Sequence, residues 1–184
     1  MKKTKSAETK RLLLSTVKDL LSRTSDIKVK DITETAFVNI AAVNYHFDDK
    51  EKLVELAMQE IFVDFKYALN NFEAGNFESC DVAISGFIDM ILNFVKNHIG
   101  FFQRIAQTGK HGIEYFHEEE FTSIATRQIL SLGLDKSGEE ITAIFASVLA
   151  QIVFAVLYFP TELESRENTE FLNTYFKQIK NSFK

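Results

Sequence analysis

The chain has 184 residues and a net charge of −5, with 18 Phe, seven Gly, one Pro, one Cys and no Trp. That length is enough for a sizeable core, and so few breakers point to an almost all-helical chain. The acidity argues against wholesale coating of nucleic acid, and the lone Cys80 excludes an internal disulfide and a cysteine zinc site. The charge is uneven: residues 1–52 carry net +3 and the remainder net −8. A basic head on an acidic body fits a head that meets phosphate. Met1 leads into a basic, polar start with no apolar h-region, so no secretory signal is expected and the protein reads as cytoplasmic.

Lys2, Lys3, Lys5, Lys10 and Arg11 make the start basic, and a mobile arm attracted to phosphate is expected there. The first helix is expected over about Ala7–Arg23, with Leu13, Val17, Leu20 and Leu21 on one face. Thr24–Lys28 connects it to the next element, with Ile27 inward. Val29 and Ile32 then begin an apolar stripe that Val43 and Phe47 continue beyond a turn flanked by Ala36 and Val38. The second of these short helices is expected over Asn39–His46, with Asn39 as N-cap. Ile40, Ala41, Ala42 and Asn44 are small or neutral, so this helix can approach something closely. Helix, short turn and small-residue helix is the arrangement of a helix-turn-helix DNA reader. Asp48, with Glu51 three residues on, is expected to cap the next helix.

That helix is expected over about Asp48–Phe72, roughly 37 Å at 1.5 Å per residue. The EAGNF segment Glu73–Phe77 is a turn. A largely buried helix follows over about Ser79–Asn97, then a short one over His98–Gly109 and a seventh over Ile113–Leu132. Gly133 suits the C′ position, and Ser137 with Glu140 forms a capping box. Ile141–Phe159 is an uncharged run long enough to cross a membrane. Thr142, Ser147 and Gln151, acidic flanks (Glu139, Glu140, Glu162, Glu164) and a small-residue face of Ala143, Ala146, Ser147 and Ala150 favour a soluble core-plus-interface helix. Pro160 ends it. The last helix, about Asn168–Phe183, carries Phe171, Leu172, Tyr175, Phe176 and Ile179 on one side.

The helix-turn-helix segment resembles the DNA-binding domain of the tetracycline-repressor (TetR) family of bacterial transcription regulators. The matching residues are Ile32-Thr33, Ala36-Phe37-Val38, Asn44-Tyr45-His46-Phe47 and Lys50-Glu51-Lys52-Leu53. Phe37 stands where the family has a turn Gly, and Asn44 where it usually has Tyr. The resemblance covers about the first 55 residues; beyond them it rests on helix number and length. It implies an all-α fold with a three-helix head over 1–52 and a ligand-binding and dimerisation body over 53–184, about nine helices in all. It also implies a ligand-responsive regulator, most simply a repressor, that binds a palindromic double-stranded DNA operator as a homodimer and is released by a small apolar ligand.

On that resemblance, Asn39, Ile40, Ala41, Ala42 and Asn44 would meet base edges. Tyr45, His46 and Lys50 would meet phosphates, with Lys28 and Lys30 at the opposite groove wall. Asn44 has the chemistry to pair bidentately with adenine. An apolar cavity would be lined by Phe62, Phe65, Phe87, Met90, Phe94, Phe101, Tyr115, Phe116 and Phe154, with His98, Arg104 and Gln151 as polar anchors. The last two helices would pair across a dimer through Ala143, Ala146, Ser147, Ala150, Phe171, Tyr175 and Phe176. Each Phe taken singly reads equally as core. Glu114-x-x-His117 has the spacing of half a di-iron ligand set, but no second copy exists and a solvated acidic stretch is expected around Glu118–Glu120. No cofactor and no catalytic constellation is expected. The rival readings are a dimeric helical ligand-binding or interaction module whose head has lost specific DNA binding, and a membrane-anchored helical protein.

Overall fold

A computed structural model describes residues 2–108, 114–134, 136–158 and 169–183. Among these, nine α-helices and no strand are present. They are α1 (Lys2–Leu21), α2 (Val29–Ala36), α3 (Ile40–Phe47), α4 (Lys50–Asn70), α5 (Cys80–Asn97), α6 (Ile99–Thr108), α7 (Glu119–Ser131), α8 (Gly138–Tyr158) and α9 (Thr169–Asn181). Two short 3-10 turns, Ala74–Asn76 and Glu114–His117, lie between them. The fold is all-α, as the scarcity of breakers requires.

The chain packs into two compact units. The first comprises residues 1–64 and 97–108, the second residues 65–96 and 109–184. The functional division expected after Lys52 therefore differs from the packing division: the first unit also holds most of α4 and all of α6.

In the first unit α1 packs against α2, α3 and α6. Leu13, Val17 and Leu21 of α1 are buried with Ile32, Ala36, Val43 and Phe47. The basic start is not an arm in this structure: the backbone is helical from Lys2. The cap of α4 also differs from expectation. Asp48 has φ +67°, and the Asp49 N–H donates to the Phe47 carbonyl at 2.8 Å. This three-residue γ-turn uses Asp48, so Asp49 becomes the cap, its carboxylate accepting from the Lys52 N–H at 2.8 Å.

In the second unit the core is aromatic. Phe65 stacks on Phe94 at 4.6 Å, and Phe87 meets Phe72, Phe145 and Phe183 edge-on or tilted at 5.2–6.4 Å. Such pairs add about 0.5–1.5 kcal/mol beyond their burial. The expected helix 113–132 is shorter than predicted. Glu114–His117 form the 3-10 turn, and α7 begins at Glu119 behind an extended Glu118. Glu118 and Glu120 are not merely solvated: both pair with the Lys66 ammonium, whose side chain is only 13% exposed. Gly133 takes φ +81° just past α7, as a C′ glycine does. The Ser137–Glu140 box forms as expected, with the Ser137 N–H at 2.9 Å from the Glu140 carboxylate and the Glu140 N–H at 3.4 Å from Ser137 Oγ.

Candidate functional site

The head's geometry follows from three local devices. The Asn39 side-chain oxygen accepts from the Ala42 N–H at 3.2 Å and starts α3 as expected. The end of α2 is a Schellman turn: the Val38 N–H reaches back to the Thr33 carbonyl at 3.1 Å. The C′ residue of that turn is Phe37, held at φ +53°, ψ +42°. The turn therefore adopts the left-handed conformation without the glycine that usually permits it. At the start of α2, the Asp31 carboxylate accepts the Lys28 N–H at 3.0 Å.

These devices turn one face of α3 inward and the other outward. Val43 and Phe47, four residues apart, are buried on the core side. Ile40, Ala41, Asn44 and Tyr45 form the opposite, exposed face, with Ile40 58% and Tyr45 79% exposed. Ala42 and His46 lie at the boundary, half-buried. His46 meets the Tyr45 ring edge-on at 4.9 Å, so the two rings support one another while Tyr45 stays outward. The Asn39 oxygen is committed to the cap, which leaves its amide N–H donors for any further contact.

The basic residues separate into two kinds. Lys28 and Lys30 are exposed, at 3.8 Å from Asp26 and 3.7 Å from Glu34, too far for strong pairing. Lys50 is different. Its side chain is 26% exposed, its ammonium donates to the Ile27 carbonyl at 3.0 Å, and Glu51 lies 2.7 Å away. The Lys50 hydrogen bond is the main force holding the Glu51 carboxyl below the usual carboxylate range. Partial burial opposes it, and the Arg104 charge adds to it. Lys50 is thus built into the head.

Arg104 is built in as well. It was expected as a pocket anchor, yet it donates to the Ser25 carbonyl at 3.3 Å and pairs with Glu51. Gln107 donates to Ser25 Oγ at 3.0 Å, and Gly100 of α6 abuts the Thr24 backbone. The connection Thr24–Lys28 is therefore clamped by α6 and by the start of α4. Sequence reasoning missed this; its only local signal was a glycine one residue inside a short amphipathic helix.

The residues expected to line one ligand cavity are distributed between the units. Phe62, His98, Phe101 and Arg104 belong to the first; Phe65, Phe87, Met90, Phe94, Tyr115, Phe116, Gln151 and Phe154 belong to the second. Phe62 and Phe101 are buried, and Phe101 meets Phe102 edge-on at 5.0 Å. Met90, Phe94, Tyr115 and Phe116 are half-buried. Phe154 is half-exposed and stacks on Tyr158 at 4.6 Å, so it points to the outside of the unit. The Gln151 amide donates to Ser147 and Ser182, and the Gln151 backbone carbonyl accepts from the Tyr175 hydroxyl, which burial holds above the usual tyrosine range. A cavity of about 60 Å³ lies between Phe116, Phe121, Phe145 and Leu149. That is room for a water or two, well short of the roughly 300 Å³ at which ligand pockets begin.

Ala143, Ala146, Ser147 and Ala150 are all exposed on α8, in line with Phe154 and Tyr158. The opposite face, from Ile141 to Val156, is buried. Among the described residues α8 alone is long and apolar enough to cross a membrane by length and composition, at mean hydropathy 2.2 and 39% buried. Tyr175 is half-buried against α8; the side chains of Phe171 and Phe176 lie outside the described residues. So do His111 and the side chain of His117, on which a metal reading around Glu114 would depend. Among the described residues no group of three metal-ligating side chains converges.

No family model matches the chain, and neither does any curated protein or solved structure.

Proposed function

We propose that the protein is a cytoplasmic, ligand-responsive DNA-binding transcription regulator of the tetracycline-repressor type. It acts as a homodimer on a palindromic operator and is released by a small apolar ligand. The observation that carries this reading is α3, a capped two-turn helix behind a tight turn, with Ile40, Ala41, Asn44 and Tyr45 on its outward face. A recognition helix needs such a face to enter a major groove about 12 Å wide. Asn44 offers the amide that pairs with adenine, and Tyr45, Lys28 and Lys30 are the exposed groups for phosphate. The small-residue face of α8 suits close approach of a second copy, which makes a dimer the preferred explanation of that helix over a membrane span.

A second reading is favoured by one pair of observations: Lys50 is committed to Ile27 and Glu51, and Phe37 exposes an apolar ring at the turn. On this reading the dimeric body is the working part and the head binds DNA without preference. One assay separates the two. Fluorescence anisotropy of the full-length protein with duplexes from the DNA beside its gene, and with scrambled duplexes, is run over a salt series. Two exposed lysines per protomer make four phosphate contacts in a dimer, so the slope of log K against log salt is expected at about −3.6. Preference for the native DNA supports the regulator. Equal, weak binding to every duplex supports the second reading.

A further inference from the structure

We infer that Phe37 is a base-reading residue that packs its ring on the C5 methyl of a thymine next to the bases met by α3. The inference rests on the DNA-binding reading above and names a contact within it.

Two unfavourable features coincide at this one position. Phe37 sits at φ +53°, a left-handed conformation that strains a side chain of its size. It is also 95% exposed, so no packing within the fold offsets the strain. The turn itself does not require a phenyl ring. Its bond from the Val38 N–H to the Thr33 carbonyl is made by backbone, and glycine or asparagine would make it without strain. Strain without local return concentrates where a residue serves a ligand.

The position says which ligand. Phe37 lies two residues before the Asn39 cap and three before Ile40, the first residue of α3. The N-terminal end of a recognition helix is the part that approaches base edges. Ile40 is also exposed there, so the leading edge of the reading face is apolar, while the amide of Asn44 lies a turn further on. Thymine is the base that presents a methyl group in the major groove, and an apolar side chain is what recognises it.

The test uses full-length protein. Wild type first selects its preferred duplex from a random pool. Each thymine of the selected half-site is then replaced by uracil, which removes the methyl and leaves every hydrogen bond intact. Wild type is expected to lose about fourfold in affinity at one position when one half-site is changed, and about fifteenfold when both are, the factor for one buried methyl per half-site. Phe37→Gly is expected to bind the thymine and uracil duplexes equally and to melt no lower than wild type, because glycine suits the turn. A wild type that selects a sequence yet tolerates uracil throughout overturns the inference and leaves the regulator standing. So does a Phe37→Gly protein that keeps the wild-type discrimination. A wild type that selects no sequence overturns the regulator reading, and the inference with it.

Discussion

Replacing Gly100 by alanine should loosen the head more than any other single methyl added at a glycine of known surroundings. A Cβ on Gly100 falls 2.2 Å from the Thr24 carbonyl oxygen, 2.3 Å from its carbon and 2.7 Å from its nitrogen. Carbon contacts are comfortable at about 3.5 Å, so α6 and the connection must separate by roughly 1 Å. Neither side gives easily, since the obstructing atoms are backbone. Overpacking of this kind costs about 1–3 kcal/mol. A separation of that size also stretches the bonds of Arg104 and Gln107 to Ser25, each worth about 1 kcal/mol. A total of about 3–5 kcal/mol lowers Tm by about 6–20 °C in a chain of this length. Far-UV circular dichroism of the full-length variant against wild type measures it. Two controls fix the scale. In Gly86→Ala the new Cβ meets only the Phe77 ring, at 2.6 Å, and a ring can swing aside. In Gly75→Ala it meets nothing within 4 Å. The expected order of Tm loss is Gly100, then Gly86, then Gly75. A Gly100→Ala protein that melts within about 1 °C of wild type would refute the clamp, because the scale of 2–4 °C per kcal/mol leaves no room for a hidden clash.

Three further outcomes are expected. Asn39→Ala removes the α3 cap and should cost about 1 kcal/mol, with Asn39→Gly losing only a few tenths; equal losses in a denaturant titration would show that the cap bond is not the cause. Lys66 is drawn down by burial but raised on balance by Glu120 and Glu118, so its pairing stabilises the fold below the ordinary lysine range and is lost as pH rises through the raised folded value; Lys66→Met should lack that alkaline loss, and parallel Tm-against-pH curves for the two proteins would contradict it. Ala146→Glu places a charge on the exposed small-residue face of α8, where a two-fold contact would set it near its own copy; sedimentation velocity should show a shift to monomer with helicity unchanged, and an intact dimer would move the interface elsewhere.

The short-range features were readable and the long-range ones were not. Asn39, Gly133 and the Ser137–Glu140 box act through backbone within three residues, and each formed where the spacing placed it. Asp48 misled because two aspartates in succession offer the same cap. The choice fell to Asp49 once α3 ran on through Phe47 and Asp48 was left in the turn. Glu118 and Glu120 looked solvated because their cation, Lys66, lies more than 50 residues away and on another helix. The neighbours of Phe65, Phe87 and Phe121 include other rings, since close packing is what aromatic surface reaches by default. Arg104 had the composition of a ligand anchor, but a planar five-donor group is equally suited to satisfying a buried loop, and the Ser25 carbonyl supplies one.

That loop explains why the head extends past its sequence motif. A seven-residue connection between two helices must satisfy most of its carbonyls from outside, because it has no ladder of its own. Here the Ser25 carbonyl is served by Arg104, its hydroxyl by Gln107, and the Ile27 carbonyl by Lys50. Two of the three donors come from α6, more than 70 residues further along the chain. The same connection leads directly into α2, and α2 leads through the left-handed Phe37 into α3. The orientation of the exposed face of α3 is thus fixed in part by residues of α6, outside the helix-turn-helix segment. A change in α6 that withdraws Arg104 and Gln107 would leave the Ser25 groups unsatisfied at about 1–3 kcal/mol each, enough to release the loop before the helix-turn-helix itself comes apart.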